Sequence, residues 1–341
     1  EGENTIAVEM HNRDNLSSDI YFDMNMVASF DAIATPTPTP TLSPTPTPST
    51  TPIPTTGTNK YNIINPYKTV DWQAFGQYKA ALHVHTTESD GSNTPAAMIE
   101  DHYSKGFDIL ALTDHNFLST SWDRTDRNSA HYLTSARVAE ITQGVGRNGR
   151  GMINITHSNE QSRPDHLNTF FAPFNNSTGA TLESNIATAQ QLGGISHISH
   201  PGRYTGGANQ TGAAGEAASN NPTTISKYVN LFSKYPSCVG MEIINKKDGD
   251  SASDRILWDN ILKQMMPNRP VWGFSNDDTH SIAATGFSYN MMLLPSNTAE
   301  NVRTSMETGT FYAVAKVSKR ELGTSFVATG ETPKITNITV D

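Results

Sequence analysis

The sequence predicts an α/β fold in which parallel strands alternate with crossover helices. Short apolar runs such as Ala80 to Val84 and Ile109 to Leu112 have the length and composition of buried strands. The clearest helix start is Thr94-Pro95, where threonine can cap the helix and proline suits its first turn, and Gly106 marks the helix end. Strand-like and helix-like segments continue to alternate, which indicates either an α/β barrel or an open α/β sheet.

The other elements are predicted from the same two patterns. Further strands are predicted at Met152 to Ile155, Leu167 to Phe171, Gly194 to Ile198, Val239 to Ile244 and Val271 to Phe274. Further helices are predicted at Ser129 to Ile141, Leu182 to Leu192, Thr223 to Phe232, Ser253 to Met265 and Thr298 to Thr308. The tail from Phe311 to Asp341 lacks helix signals and ends in the strand-like segment Lys334 to Val340, so we expect it to close a barrel or form a small β element.

A threonine- and proline-rich segment divides the chain. Residues Ala34 to Thr56 alternate Thr and Pro, which predicts an extended spacer that buries no apolar face and resembles the linkers of secreted bacterial enzymes. The words GENTIAVEMHN and SSDIYFDMNM before it resemble the last strands of galactose-binding-like β-sandwich modules. The predicted division is 1–32 for sandwich strands, 33–58 for the linker, 59–315 for the α/β domain and 316–341 for a C-terminal β extension.

Composition narrows the range of functions. The chain has 341 residues and a formal net charge of −9, which gives no sign of a basic nucleic-acid-binding surface. A single cysteine, Cys238, excludes an internal disulfide and a thiolate zinc cluster. No apolar run is long enough to span a membrane. With the linker, and with Glu1 as the first residue, these features predict an extracellular protein cut from a longer secreted chain with attached modules.

Metal-capable side chains recur where the predicted strands end. His83 and His85 finish the first strand on one face, because side chains alternate along a strand. Asp90 follows the same strand, and His166 opens the fourth strand. The later strand ends carry Asp114, His115, His157, Glu160, His197, His200, Glu242, Asp277, Asp278 and His280. Because functional groups gather at the carboxyl ends of parallel strands, these residues predict one site. Imidazoles with carboxylates suit Zn²⁺, Mn²⁺ or Fe, and a carboxylate can bridge two ions.

The motifs resemble a known family. HVHTTESDG, LALTDHN, SHPGR and GFSNDDTHS are similar to successive motifs of the PHP (polymerase and histidinol phosphatase) metallohydrolases, closest to the branch of carbaryl-type hydrolases and secreted phosphoesterases, over Lys79 to Tyr312. The resemblance implies a distorted (β/α)7 barrel with two or three divalent ions. The ligands that it implies are His83, His85, Asp90, His115, Glu160, His166, His200, Asp278 and His280. The third motif departs from the family's usual GxE, since Glu160 stands in HSNEQS.

The predicted activity is hydrolysis of a phosphomonoester or phosphodiester. Bound ions would lower the pKa of water from roughly 15.7 toward 7, and the hydroxide would attack phosphorus or an acyl carbon. Asp90, His200 and Arg203 are the predicted catalytic groups, and Arg203 is either a phosphate clamp or a solvated surface residue. The alternatives are a carboxyl ester, carbamate or amide hydrolase using the same site, and a non-catalytic binding module. The predicted partner is a small or polymer-linked phosphoester, with no nucleic acid and no membrane.

Several other residues have plainer predicted roles. Asp114 and Asp277 are predicted to orient neighbouring histidines. Glu242 is either a base or a structural carboxylate, and His157 and His197 lie beside motif positions. Surface or packing roles are predicted for His102 and His131, core positions for Trp258, Met265 and Met266, and a flexible rim loop for Gly206 to Gly215.

Overall fold

The structure is a computed structural model that describes residues 64–175, 180–205, 213–249, 251–329, 332 and 334–338. The β-sandwich strands predicted at 1–32 and the linker predicted at 33–58 lie outside these residues. Most of the glycine-rich loop from Gly206 to Gly215 also lies outside them. The predicted domain boundaries stay predictions.

The described chain contains ten strands in two sheets. They are β1 (Gly76–Ala81), β2 (Ile109–Leu110), β3 (Ile153–Asn154), β4 (Asn159–Ser162), β5 (His166–Phe170), β6 (Ile195–Ile198), β7 (Cys238–Asn245), β8 (Trp272–Asn276), β9 (Ser288–Leu294) and β10 (Phe311–Ala315). One five-stranded sheet has the order β10-β9-β1-β2-β3, and the other has the order β4-β5-β6-β7-β8. The α/β fold class is therefore confirmed, with both sheets mixed.

The helices lie mostly between the strands. They are α1 (Pro95–Ser104), α2 (Ser135–Gln143), α3 (Leu182–Gln191), α4 (Gly202–Thr205), α5 (Ala213–Ser219), α6 (Pro222–Lys234), α7 (Asp254–Met265), α8 (Ala299–Thr308) and α9 (Lys319–Leu322). The predicted cap of the first helix is confirmed, since the Thr94 side chain accepts a hydrogen bond from the Ala97 N–H and Pro95 opens the helix. No helix among the described residues is long and apolar enough to cross a membrane.

Not all neighbouring strands are parallel, and here the sequence prediction is wrong. The pairs β4–β5, β5–β6, β1–β9 and β9–β10 are antiparallel. Connection length explains one of these pairs, because a parallel pair needs a crossover of a dozen or more residues and only residues 163–165 join β4 to β5. The connections from β5 to β6 and from β9 to β10 are long enough to contain α3 and α8, so the antiparallel direction of those pairs does not follow from connection length.

Isolated bridges connect the two sheets next to the predicted metal residues. Val84 pairs with Thr279, and His115 pairs with Glu160. The His85 N–H donates to the Thr279 carbonyl at 2.9 Å, and the Asn116 N–H donates to the Glu160 carbonyl at 2.9 Å. The closed (β/α)7 barrel stays a prediction, but these bridges bring strand ends of both sheets to one place.

An apolar core lies between the sheets, beneath this place. Leu82 and Ile155 of the first sheet's side and Phe170 and Phe274 of the second are fully buried in one cluster. A second cluster packs α3, α6 and α7 on the second sheet and includes Met265, with Trp258 and Met266 partly buried against it. The core prediction for these three side chains is confirmed. The polar strand ends are thus supported from below by packed apolar side chains.

Two helical predictions need correction. The segment Ser129 to Ile141 is not one helix, since a 3-10 helix at Ser129–His131 ends before Thr134 caps α2 through the Arg137 N–H. The tail does contain a helix, α9, followed by an isolated bridge residue at Ile335. The predicted C-terminal β extension stays a prediction.

Candidate metal centre

Two histidines after β1 form the floor of the site. His83 and His85 are 1% and 0% exposed, and the alternation along the strand places both on the same side. Their Nε2 atoms are 3.1 Å apart. Val84 between them is fully buried on the other side, in contact with the apolar core. Because the two Nε2 atoms are this close, both imidazoles are directed at the same small region of the site.

The Glu160 carboxylate of β4 lies at the centre of this volume and is fully buried. Around Oε1 the nearest imidazole nitrogens are His83 Nε2 at 3.2 Å, His166 Nδ1 at 3.0 Å and His200 Nε2 at 3.3 Å. Around Oε2 they are His115 Nδ1 at 2.8 Å and His85 Nε2 at 3.5 Å. Sequence-distant strand ends therefore supply nitrogen donors to both oxygens of one carboxylate.

These contacts have short distances but not the direction of hydrogen bonds. Within the described part of the chain, neither oxygen of Glu160 has a hydrogen-bond partner, and the same holds for His166 Nδ1 and Asp278 Oδ1. A buried carboxylate without such partners is costly, whereas metal coordination would satisfy it. The donor set therefore fits divalent cations.

Asp278 provides a second buried carboxylate. Its Oδ1 lies 3.3 Å from His83 Nε2 and 3.1 Å from His85 Nε2. Its backbone has a positive φ of 43°, an uncommon conformation for a residue other than glycine. Oδ2 accepts a hydrogen bond from Asn245 Nδ2 at 3.3 Å and lies 3.8 Å from His200 Nε2. Both oxygens thus lie near metal-capable imidazoles, and Oδ2 is also held by an amide.

The mouth of the site is formed by less buried donors. Asp90 has a side chain that is 57% exposed, and its Oδ1 lies 3.2 Å from His280 Nε2, 3.6 Å from His115 Nε2 and 3.7 Å from His85 Nδ1. Ligand atoms of the site fall into four groups with all atoms within 4.8 Å of one another. The groups are His85-Asp90-His115-His280, His83-His200-Glu242, His83-His85-Glu160 and His115-Glu160-His166. Shared members suit a site for more than one ion, with Glu160 as a bridge.

Glu242 holds the site together without needing an ion. Oε1 accepts hydrogen bonds from His83 Nδ1 at 2.7 Å and Asn276 Nδ2 at 2.8 Å. Oε2 accepts from the His200 N–H at 2.9 Å and Asn245 Nδ2 at 2.9 Å. With these four donors in place, the carboxylate fixes the His83 tautomer so that the Nε2 lone pair faces Glu160. Of the two roles predicted for Glu242, this geometry supports the structural carboxylate.

Of the two aspartates predicted to orient histidines, only Asp114 is linked to one in the described chain. Asp114 accepts hydrogen bonds from the Thr86 N–H at 2.7 Å and from Ser89 Oγ at 2.7 Å, and Ser89 Oγ lies 3.3 Å from His85 Nδ1. Asp114 therefore holds the loop that carries Asp90 and reaches His85 through Ser89. Asp277 instead accepts the backbone N–H groups of residues 286–288 and fixes the turn into β9. Burial raises the pKa of Asp277 to about 7 despite these bonds.

The site has a strongly negative electrostatic character. Burial acts to lower the pKa of His83, but the carboxylates of Asp278, Glu160 and Glu242 raise it well above its usual value. Burial acts to raise the pKa of Glu160 and Asp278, yet the surrounding imidazoles hold both well below their usual range. The carboxylates that hold a proton on His83 would also hold a divalent cation, and binding of the cation would release that proton.

The remaining histidines are not part of the centre. His197 is fully buried and stacks on the Phe274 ring at 4.6 Å, and burial lowers its pKa to about 4. His102 is a buried helix residue whose Nδ1 bonds to the Met98 carbonyl, and burial lowers its pKa to about 4 as well. Neither they nor His157 and His131 belong to a donor group among the described residues. Packing is therefore the role of both His102 and His197.

Two residues near the centre escape sequence reasoning, and the predicted Arg203 is exposed. Arg203 is exposed in α4, and its N–H donates to the His200 carbonyl at 3.1 Å, so its phosphate-clamp role stays a prediction. Tyr204 lies with its ring 5.1 Å from the His166 ring. Lys246 Nζ lies 3.5 Å from Asp278 Oδ2. Their positions directly after a strand-end motif and a strand end were the available signals.

Comparisons with known proteins complete the description of the site. No family model matches the sequence, and a search of curated proteins gives no significant match. The chain is similar to a two-domain protein containing a predicted PHP-like metal-dependent phosphoesterase from Bacteroides vulgatus, at 16% identity and a TM-score of 0.47, over 76% of this chain and 70% of that one. It is similar to PsfC from Pseudomonas syringae at 14% identity and a TM-score of 0.42, over 72% and 95%. It is also similar to the lesion-specific endonuclease PfuEndoQ from Pyrococcus furiosus at 15% identity and a TM-score of 0.41, over 71% and 58%. Because these sequence identities and TM-scores are low, the chemistry of the site follows only from its own residues.

Proposed function

We propose that this chain is a metal-dependent phosphoesterase of the PHP type that holds two or three divalent ions. The observation that carries this proposal is the buried Glu160 carboxylate, which is surrounded by imidazole nitrogens at 2.8 to 3.5 Å without a hydrogen-bond partner in the described chain. Glu160, His83, His85 and Asp278 would hold the inner ions. Mixed imidazole and carboxylate donors suit Zn²⁺, Mn²⁺ or Fe.

Each part of the site has a role in such a reaction. Bound divalent ions supply Lewis acidity and lower the pKa of bound water. The burial of His83, His85 and Glu160 keeps bulk water from this floor. At the mouth, Asp90 Oδ1 and His280 Nε2 lie 3.2 Å apart on partly exposed side chains, so this pair would hold the ion nearest to solvent.

The preferred substrate follows from the same chemistry. Several ions in one site can stabilise the charged oxygens of a phosphoryl group, whereas attack on an activated acyl group needs fewer ions. We therefore prefer phosphoesters as substrates over carboxyl esters, carbamates and amides. The threonine- and proline-rich segment supports an extracellular protein with attached modules that acts on a small or polymer-linked phosphoester.

A metal-reconstituted turnover assay tests the proposal. Nitrophenyl phosphomonoester, phosphodiester, carboxyl ester and carbamate are offered to the wild type, to Glu160→Gln and to the matched surface variant Glu183→Gln, whose side chain is 49% exposed. We expect phosphoester turnover that Glu160→Gln loses and Glu183→Gln keeps. Carbonyl turnover without phosphoester turnover would instead assign the chain to carbonyl hydrolysis.

A further inference from the structure

Lys246 brings an ammonium group to the edge of the candidate metal centre. It follows β7 directly and has a positive φ of 55°. Its N–H donates to the Asn276 carbonyl at 2.9 Å, and its carbonyl accepts from Ser288 Oγ at 2.6 Å. Left-handed backbone in a residue other than glycine persists where surrounding contacts fix it, and both backbone groups here are fixed. The backbone position from which the Lys246 side chain starts is therefore fixed by the fold.

The side chain lies between the buried donors and solvent. Nζ is 3.5 Å from Asp278 Oδ2, and the side chain is 36% exposed. The other oxygen of the same carboxylate faces His83 and His85. Lys246 is thus a partly exposed cation in contact with a buried predicted metal ligand, where a molecule that enters from solvent could reach it.

A positive charge beside the centre favours an anionic substrate. The site is lined by Asp90, Glu160, Glu242 and Asp278, whose charges the bound ions would offset, and the chain as a whole has a net charge of −9. A lysine ammonium is a compact charge with three donors on a flexible stem, and its distance to Asp278 allows it to turn toward a second oxygen acceptor.

We propose that Lys246 binds a non-bridging oxygen of the substrate and gives the site its preference for anionic phosphoesters over neutral esters. This inference rests on the proposed function, whose site it deepens. It predicts that Lys246 contributes to the affinity for the phosphoryl group itself, separately from the leaving group.

Lys246→Gln, Lys246→Arg and the neighbouring Lys247→Gln separate this role from others. Lys247 is exposed, and its Nζ lies over the Phe287 ring at 3.9 Å, so it is a control of equal charge change. On metal-loaded protein, we measure inorganic phosphate binding by calorimetry, metal content, and KM and kcat with nitrophenyl phosphate and the neutral nitrophenyl acetate. Lys246→Gln should weaken phosphate binding and lower kcat/KM for nitrophenyl phosphate about 10- to 100-fold, the value of a lost hydrogen bond to a charged group. Acetate turnover and metal content should not change, Lys246→Arg should recover most of the loss, and Lys247→Gln should behave as wild type.

Three results would overturn the inference. They are unchanged phosphate affinity in Lys246→Gln, an equal loss on phosphate and acetate, and a loss of bound metal, since the last two would show that Lys246 acts by holding Asp278. A wild type that binds no phosphate overturns it as well. A failure of the proposed function looks different, because the wild type would then turn over acetate but no phosphoester while the phosphate titration still reports on Lys246.

Discussion

Replacing Glu160 by glutamine removes the charge at the centre of the site while keeping the side-chain shape. Two of the four donor groups contain Glu160, namely His83-His85-Glu160 and His115-Glu160-His166, and the other two groups do not. We therefore expect Glu160→Gln to bind fewer ions than the wild type, without losing all of them. We expect the affinity for the ions that Glu160 bridges to fall about 100-fold. This is the upper end of the loss seen when a residue that only hydrogen-bonds a metal ligand is replaced, and a direct ligand should contribute at least as much.

This loss has a measurable effect on stability. A ligand present at about 100 times its Kd stabilises the folded state by about 2.7 kcal/mol, and a 100-fold weaker site loses nearly all of this. For a domain of this size, each kcal/mol corresponds to about 2–4 °C in Tm, so the metal-induced rise in Tm should shrink by about 5–10 °C.

The assay is a thermal melt of chelated and metal-reloaded protein, combined with metal analysis. Glu183→Gln is the matched control, because it makes the same chemical change on the surface. A Glu160→Gln protein that keeps the full metal-induced rise in Tm and the full metal content would refute the assignment of Glu160 as the central ligand.

Three further predictions follow from the surroundings of the centre. Glu242→Gln disturbs the tautomer of His83 and should weaken metal binding about 10- to 100-fold by titration; unchanged affinity would contradict the orienting role. Because carboxylates raise the pKa of His83 well above 6.5, its contribution to the stability of metal-free protein is present below pH 6.5 and is lost as pH rises through the raised pKa. Apparent metal affinity should therefore rise with pH above 6.5, and a flat calorimetric profile would oppose this. The pKa of His197 is lowered to about 4, so this histidine costs stability as pH falls from 6.5, and His197→Phe should gain about 1.4 kcal/mol relative to wild type for each pH unit down to about 4. Its metal content should stay that of the wild type, and a loss of metal would place His197 at the centre instead.

The sequence indicates the site better than it indicates the sheets. Strand alternation and the positions of His83, Glu160 and Asp278 after apolar runs suffice to predict that they meet, because strand ends share one edge. The structure places the other predicted ligands around the same volume. Because these residues are all metal-ligating types and lie near strand ends, the sequence alone predicts that they share a site.

What the sequence does not reveal depends on contacts between distant segments. The strand β4 contains Asn159, Glu160 and Gln161, polar residues without strand-like alternation, and it is buried only because the site and β5 cover it. β9 is buried at every position although it begins with Ser288, Tyr289 and Asn290, so neither alternation nor a purely apolar run marks it as a strand. The role of Glu242 is likewise defined by four donors from four different segments, and no local sequence pattern indicates them.

The most direct test of the central claim is metal content measured together with phosphoester turnover on the same purified protein. We predict more than one equivalent of divalent metal per chain, and turnover of a nitrophenyl phosphoester that chelation abolishes and metal restores. In Glu160→Gln, both the metal content and the turnover should fall below those of the wild type. A protein that binds no divalent metal after reconstitution, or that hydrolyses phosphoesters equally well with and without it, would contradict the account.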